Sequence, residues 1–252
     1  MVSSLIWPSC EKPPGVNLLA TTRLGGVSPS PWNSFNLGAN TQDRQERVIA
    51  NRSLLAQSMA EVEVQWLKQV HGAKGVVLQE NLASHSPEAD FSYTRERGIA
   101  CAILTADCLP ILIWNRSGTE IAAIHAGWRG LAAGVIASAL SHFQSPVSEL
   151  AAWIGPAIGQ KAFEVGEDVL DAMAVANLGG LQDLTRYCTA HSSVQGKFYM
   201  DLVGIARVNL NGIGVDKVDG GNYCTYTDSE RFFSYRRDGE TGRMASLIWM
   251  EG

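Results

Sequence analysis

The sequence has no long apolar run and no excess of positive charge, and each absence excludes a class of protein. None of its hydrophobic segments reaches the roughly 18 residues that a membrane-spanning helix needs. Its formal net charge is −5 and its 20 lysines and arginines are scattered, so we expect no surface that binds nucleic acid. The first eight residues lack a basic segment followed by a long apolar run, so we also expect no signal peptide.

Cysteines are few and irregularly spaced. The chain has five, an odd number, and none of them form a Cys-x-x-Cys pair. This pattern does not predict a disulfide framework, and it is typical of a cytoplasmic protein with free thiols. The chain also has no linker rich in proline, glycine and serine and no internal repeat, so we expect a single domain over residues 1–252.

Segments typical of strands and of helices alternate along the chain. Apolar periodicity predicts strands at residues 16–22, 65–70, 76–78, 99–104, 109–114, 119–125 and 151–154, and helices at 43–59, 127–143, 164–176 and 200–211. The segments 231–237 and 243–250 around an Asp-Gly pair predict a terminal hairpin. Hairpins mixed with helices favour an α+β fold with a mixed sheet over a doubly wound parallel sheet.

A polar pair, Asp107 and Cys108, interrupts the most apolar part of the chain. It lies between the predicted strands 99–104 and 109–114. Polar groups are costly to bury without partners, so this pair marks a candidate functional site.

The next hairpin connects Cys108 to a histidine. If residues 115–118 form its loop, Trp114 pairs with Thr119, and Cys108 lies opposite His125. Opposed side chains share one face with Cβ atoms about 4.5–5.5 Å apart, which suits a shared metal ion or a Cys–His nucleophile pair. The alternative is that Cys108 is a small buried apolar residue and His125 a hydrogen-bonded strand-end histidine.

His71, at the end of the predicted strand 65–70, is a third candidate ligand. Alternation along that strand places Gln69 and His71 on one face, where both can line a pocket. Two histidines and one cysteine form a known catalytic zinc set that leaves a fourth position open. A thiolate ligand favours zinc or copper, and Asp107 is then a candidate for orienting a ligand or accepting a proton.

Two arginines are candidates for binding substrate. Arg23 precedes a Gly-Gly turn, where its guanidinium can bind an anionic group such as phosphate, although for an arginine without other support an ordinary surface position is the commoner case. Arg236 either adds positive charge to a pocket or forms a salt bridge at the end of a strand.

Eight motifs occur in one order: TTRLGGVS, FNLG, KQVHG, TADCLPILI, AAIHAGWRG, WIGPAIG, FEVG and FFSYRRDGETGRMASLIWM. Together they resemble the bacterial YfiH family, also called the laccase-domain or multicopper polyphenol oxidase family. The resemblance extends from about Val16 to Met250, nearly the whole chain.

The resemblance implies a four-layer α/β/β/α sandwich, similar to the catalytic domain of cytotoxic necrotizing factor. It implies metal ligands at His71, Cys108 and His125, with zinc as the expected ion and copper as the alternative. The implied activity is phosphorolysis of adenosine, inosine, guanosine and methylthioadenosine, with adenosine deamination besides, and Arg23 is linked with phosphate or substrate. Some family members are instead described as peptidoglycan editing factors that remove L-serine from a UDP-MurNAc precursor.

A multicopper oxidase mechanism does not fit the histidine content. The chain has five histidines and no His-x-His pair, too few ligands for a mononuclear and a trinuclear copper centre. We therefore expect a cytoplasmic zinc enzyme with small-molecule substrates, as a monomer or homodimer. Two alternatives are a hydrolase with Cys108 as nucleophile and His125 as base, and a non-enzymatic scaffold stabilised by zinc.

Overall fold

The computed structural model describes residues 5–59, 62–80, 82, 85–176, 178, 181 and 183–252. Residues 1–4, at the start of the segment expected to carry no signal peptide, lie outside the described residues. The strands are β1 (Leu5–Ile6), β2 (Val16–Thr21), β3 (Glu63–Gln65), β4 (Gly75–Leu78), β5 (Phe91–Thr94), β6 (Ile99–Thr105), β7 (Leu109–Asn115), β8 (Ile121–Ala126), β9 (Leu150–Ile154), β10 (Glu164–Gly166), β11 (Cys188–Ala190), β12 (Lys197–Met200), β13 (Lys217–Gly220) and β14 (Met244–Met250). The helices are α1 (Gln45–Ala56), α2 (Trp128–Ala132), α3 (Val135–Leu140), α4 (Glu167–Val175), α5 (Leu202–Ile213) and α6 (Tyr235–Asp238).

The described strands form two large mixed sheets and a small one. The first large sheet has the order β1-β2-β14-β6-β3, and the second has the order β13-β9-β7-β8-β5-β4. Each contains a parallel edge pair, β3 with β6 in the first and β4 with β5 in the second, beside antiparallel neighbours. The expected α+β fold with mixed sheets is therefore confirmed. Within the described part of the chain, none of the helices has the length and apolar character needed to cross a bilayer.

The two large sheets stack face to face because their strands are apolar on both sides. In β6, Cys101 and Ile103 pack into the core between the sheets, while Ala100 and Ala102 face the opposite side with Leu55 of α1. This alternation follows from the period of two in a strand. Helix α1 thus covers the outer face of the first sheet.

The outer face of the second sheet is covered by the remaining longer helices. In β7, Leu112 and Trp114 point into the core between the sheets, whereas Ile111 and Ile113 pack with residues of α2, α3, α4 and α5. The order of layers is therefore helix, sheet, sheet, helices, which is the four-layer arrangement that the motifs implied.

The β7–β8 hairpin is present, but its predicted register was wrong by two residues. Trp114 pairs with Ile121 and Pro110 pairs with His125. The loop begins one residue later than predicted because Asn115 stays in the strand. Its side-chain oxygen accepts hydrogen bonds from the backbone N–H groups of Thr119 and Glu120. A shift of two residues preserves the face on which each side chain lies, so His125 keeps its predicted orientation.

Other predicted elements differ from the structure at their ends or in type. The predicted helix 127–143 is divided by Gly134, which has a φ of +79°. The predicted terminal hairpin was wrong, because residues 235–238 are helical and β14 pairs with β2 and β6. The predicted helix 164–176 begins instead with the short strand β10.

Candidate metal centre

The segment that interrupts the apolar run carries the chain from one large sheet to the other. Strand β6 ends at Thr105 in the first sheet, and β7 begins at Leu109 in the second. At the crossing, Asp107 has a φ of +98°, a region that asparagine and aspartate enter more readily than most residues. Its carbonyl oxygen accepts a hydrogen bond from Ile158 at 2.9 Å. The side chain of Cys108 follows this turn and lines a cavity.

Both carboxylate oxygens of Asp107 are bound by the protein. Oδ1 accepts from the Thr225 hydroxyl at 2.6 Å, and Oδ2 accepts from the backbone N–H of Arg236 at 2.7 Å. The carboxylate therefore fastens the crossing segment to two later parts of the chain. The predicted catalytic role of Asp107 stays a prediction. Its two hydrogen bonds fix the position of the backbone next to Cys108.

His71, Cys108 and His125 meet in the wall of this cavity. One ligand atom from each residue lies within 4.8 Å of the others, and the two imidazole centroids are 4.7 Å apart. Gly127 makes room for the cluster, because a Cβ there would lie 3.1 Å from the Cys108 sulfur and 3.6 Å from a His71 ring carbon. Within the described residues, no further Cys, His, Asp or Glu joins this group.

Asp90, which the sequence did not single out, holds both histidines. Its Oδ1 accepts from Nδ1 of His125 and from the backbone N–H of His71, each at 2.8 Å. Its Oδ2 accepts from the N–H groups of Gly72 at 2.7 Å and Val70 at 3.3 Å. A carboxylate on Nδ1 leaves Nε2 of His125 to face Cys108, as in many metal-binding histidines. Asp90 is completely buried.

One feature of the sequence could have pointed to Asp90. It immediately precedes β5, a strand of the residues Phe-Ser-Tyr-Thr that no predicted element covered. Asp107 likewise lies just ahead of an apolar strand, two residues before β7 begins at Leu109. The hydrogen bonds that make Asp90 important, however, come from residues about twenty and thirty-five positions away.

The electrostatics of the cluster favour a thiolate. Burial would raise the pKa of Cys108, but hydrogen bonds and charge from His125 and His71 hold this pKa well below its ordinary value. Burial would lower the pKa of His125, but Asp90 and Cys108 raise it. The thiolate is the form of cysteine that binds metals and acts as a nucleophile.

The cavity has a volume of about 430 Å³, within the range of small-molecule sites. It is lined by Gly38, Asn40, Thr41, Leu67, Gln69, His71, Leu104, Thr105, Ala106, Cys108, His125, Tyr235 and Arg243. No Asp or Glu is among these residues, so the interior carries no negative charge except at Cys108.

The segment before His71 is not the predicted strand 65–70, since β3 ends at Gln65. Gln69 nevertheless lines the cavity as expected. Its amide donates to the carbonyl of Leu104 and accepts from the N–H of the same residue, both at 2.8 Å. This side chain therefore takes the place of strand pairing beside β6, and the chain then turns at His71 with a φ of +62°.

The two arginines predicted to bind substrate do not line this cavity. Arg23 donates to the carbonyl oxygens of Asn33 at 3.0 Å and Ser229 at 3.1 Å. Arg236 donates to the carbonyl oxygen of Glu164 at 2.8 Å. Their roles in substrate binding stay predictions, and the arginine in the lining is Arg243, directly before β14.

The donor set fits a transition-metal ion. Two imidazoles and one thiolate converge, Asp90 orients one imidazole, and no fourth protein ligand closes the group among the described residues. Imidazole and thiolate ligands suit zinc or copper better than magnesium or calcium. An incomplete shell of three protein ligands is typical of catalytic rather than structural zinc.

The chain is similar to known proteins along nearly its whole length. A purine nucleoside phosphorylase named YfiH from Escherichia coli K12 is 44% identical over 250 residues, 99% of this chain and 100% of that protein. A purine nucleoside phosphorylase from Pseudomonas aeruginosa is 45% identical over 97% of this chain and 96% of its own. The crystal structure of Neisseria meningitidis protein NMB0706 matches with a TM-score of 0.93 and 41% identity, over 99% of this chain and 100% of that one. The family described as multi-copper polyphenol oxidoreductase laccase matches residues 17–251, and this chain belongs to that family.

Proposed function

We propose that this protein is a metal-dependent purine nucleoside phosphorylase. The observation that carries the proposal is a three-ligand His71–Cys108–His125 cluster in the wall of a cavity of about 430 Å³. In addition, 99% of this chain aligns at 44% identity with a protein named as a purine nucleoside phosphorylase. The proposed substrates are adenosine, inosine, guanosine and methylthioadenosine, each with inorganic phosphate.

In the proposed reaction, a phosphate oxygen forms a bond to the anomeric carbon of ribose as the bond from that carbon to the purine nitrogen breaks. The electron pair of the broken bond stays on the purine, which takes a proton, and the sugar leaves as its 1-phosphate, which is ribose 1-phosphate for the three ordinary nucleosides. Zinc, with copper as the alternative, would be held by His71, Cys108 and His125 and would supply a Lewis acid at the reacting end of the cavity.

The chain itself supplies orientation and a partly apolar cavity. Asp90 holds His125 and the backbone of His71, so both imidazoles are positioned before substrate arrives. Leu67 and Leu104 offer apolar wall to a flat purine ring, and the exposed ring of Tyr235 lies at the rim. These features would orient the nucleoside and exclude part of its surrounding water.

Asp107 is proposed to position Cys108. Its two oxygens accept from Thr225 and from the backbone of Arg236, which supports a structural hold at the crossing between sheets. Proton transfer by this carboxylate would require it to give up at least one of these hydrogen bonds.

Adenosine deamination is a second proposed reaction of the same site. Water would add its oxygen to the purine carbon that carries the amine, and ammonia would leave, giving inosine. The three-ligand cluster supports this because three protein ligands leave a coordination position that water could occupy.

The test measures metal content and products together. Purified protein with one bound zinc per chain is incubated with each of the four nucleosides in turn, with and without phosphate, and the free base is quantified. We expect base release only with phosphate, loss of both metal and activity in Cys108→Ala, and retention of both in Cys188→Ala. A zinc-loaded protein that releases no base from any of the four nucleosides contradicts the proposal.

A cysteine-dependent amide hydrolase is the second candidate function. The lowered pKa of Cys108, caused by His125 and His71 against the effect of burial, is the observation that favours it. In that mechanism the Cys108 sulfur attacks the amide carbonyl and His125 protonates the leaving amine, as for removal of L-serine from a UDP-MurNAc precursor. Full activity after chelation, with a thioester trapped on Cys108, would support this candidate over the phosphorylase.

A third alternative, a non-enzymatic scaffold that zinc stabilises, would use the same three ligands. Structural zinc sites usually have four protein ligands, and the described residues contribute three here. Loss of stability without any catalytic activity on removal of zinc would favour the scaffold.

A further inference from the structure

Arg243 brings a guanidinium group to the cavity that contains Cys108 and His125. Its Nη1 donates to the carbonyl oxygens of Thr241 at 2.8 Å and Gly242 at 3.0 Å. Its Nε and Nη2 make no hydrogen bond or ion pair with the described residues. One edge of the guanidinium is therefore available to a ligand.

The stem of Arg243 is held against a glycine. A Cβ on Gly38 would lie 2.7 Å from Cγ of Arg243 and 3.0 Å from its Cβ, so a larger residue would displace the arginine. The fully buried Asn36 accepts from the backbone N–H of Arg243 at 2.9 Å and from that of Gly38 at 3.0 Å. The N–H of Leu37 also donates to the Arg243 carbonyl at 3.1 Å. The segment around Gly38 therefore fixes the direction of the side chain.

The charge in the cavity favours an anion beside Arg243. Among the described residues that line it, Arg243 is the only arginine or lysine, and the Cys108 thiolate, whose charge the metal ion and the two histidines share, is the only negative group. Arginine remains protonated in proteins. A guanidinium edge with two free donors matches two oxygens of a phosphate or carboxylate.

We propose that Arg243 binds the inorganic phosphate of the reaction, in the same cavity as the His71–Cys108–His125 cluster. This proposal rests on the proposed phosphorylase function for the identity of the anion. Phosphate held there would present an oxygen to the anomeric carbon of a nucleoside bound in the same cavity. The carboxylate of an L-seryl substrate would have the same oxyanion chemistry, and the test separates the two.

The experiment measures phosphate binding directly on the zinc-loaded protein, by equilibrium dialysis with radiolabelled phosphate and no nucleoside. We expect Arg243→Gln to weaken phosphate binding by about 10- to 100-fold, the range for charge-assisted hydrogen bonds, and Arg243→Lys to weaken it less. Gly38→Ala should also weaken it, because the added methyl group displaces the arginine stem. Arg186→Gln, at an exposed site outside the cavity lining, is the matched control.

Steady-state kinetics provide the second readout. Arg243→Gln should raise the KM for phosphate by a similar factor and leave the KM for inosine within about twofold. Circular dichroism and zinc content show whether each variant keeps its fold, and Arg243→Lys and Gly38→Ala replace the glutamine variant if it does not.

Three outcomes would overturn the proposal. These are unchanged phosphate binding in a folded, zinc-loaded Arg243→Gln protein, a rise in the KM for inosine alone, and Arg243-dependent binding of N-acetyl-L-serine without binding of phosphate. Failure of the phosphorylase function is a separate result, because wild-type protein that binds phosphate through Arg243 but releases no base would refute only the activity.

Discussion

Asp90→Asn removes the charge from the carboxylate that orients the metal cluster while it keeps the size of the side chain. The carboxylate accepts four hydrogen bonds, two on each oxygen: from His125 and His71 on one, and from Gly72 and Val70 on the other. An asparagine has one oxygen and one NH2 group. In either orientation, the NH2 group therefore faces two groups that donate in the wild-type protein.

The size of the effect follows from these lost acceptors. Each buried donor left without an acceptor costs roughly 1–3 kcal/mol, so with two such donors we expect Asp90→Asn to lower the free energy of unfolding by about 2–6 kcal/mol. If the NH2 group instead donates to Nδ1 of His125, the ring proton moves to Nε2, and this nitrogen cannot then bind a metal ion. Loss of such an orienting carboxylate typically weakens metal binding about 10- to 100-fold.

Two measurements check this prediction. Urea unfolding of the metal-free protein gives the change in stability, and competition with a chromogenic chelator gives the zinc affinity. Glu88→Gln is the control, because Glu88 is two residues away and forms an exposed ion pair with Lys68. Zinc affinity within twofold of wild type in a folded Asp90→Asn protein would refute the reasoning, whatever happens to stability.

Three further predictions concern the cluster, the core and a buried carboxylate. Gly127→Ala places a methyl group 3.1 Å from the Cys108 sulfur, so we expect zinc affinity to fall, and an unchanged affinity in the same chelator assay would contradict this. Trp114→Ala should lower the free energy of unfolding, measured in urea, by about 3–5 kcal/mol because Trp114 is buried between the sheets. A decrease below about 1 kcal/mol would show that the sheets repack. Burial would raise the pKa of Glu120, but hydrogen bonds from Ser145, Tyr93 and the backbone lower it below 4.5. The stability that this group adds is therefore present above about pH 4.5 and is lost as pH falls through the lower folded pKa. In urea unfolding at acid pH, the free energy of unfolding should therefore fall less in Glu120→Gln than in the wild-type protein.

The local elements followed from the sequence because their causes are local. Strands β6, β7 and β8 and helix α5 lie close to the predicted segments, since apolar alternation and helical periodicity act within each segment. Cys108 and His125 lie close together as predicted, although the predicted register was wrong. The register error was an even number of residues, so it kept both side chains on one face.

The features that the sequence could not predict depend on distant parts of the chain. Strands β6 and β7 are neighbours in sequence but belong to different sheets, because β14 pairs beside β6 and β9 pairs beside β7. Which arginine reaches the cavity likewise depends on tertiary contacts. Arg23 is bound to the carbonyl oxygens of Asn33 and Ser229, whereas Arg243 lines the cavity, and the Gly-Gly turn beside Arg23 gave no indication of this.

The most direct test of the account is the stoichiometry of products from zinc-loaded protein, inosine and phosphate. Phosphorus NMR would follow ribose 1-phosphate while chromatography follows hypoxanthine in the same sample. The account predicts equal amounts of the two products, formed only when phosphate is present and absent in Cys108→Ala. Hypoxanthine without ribose 1-phosphate, or neither product from protein with a full complement of zinc, would contradict it.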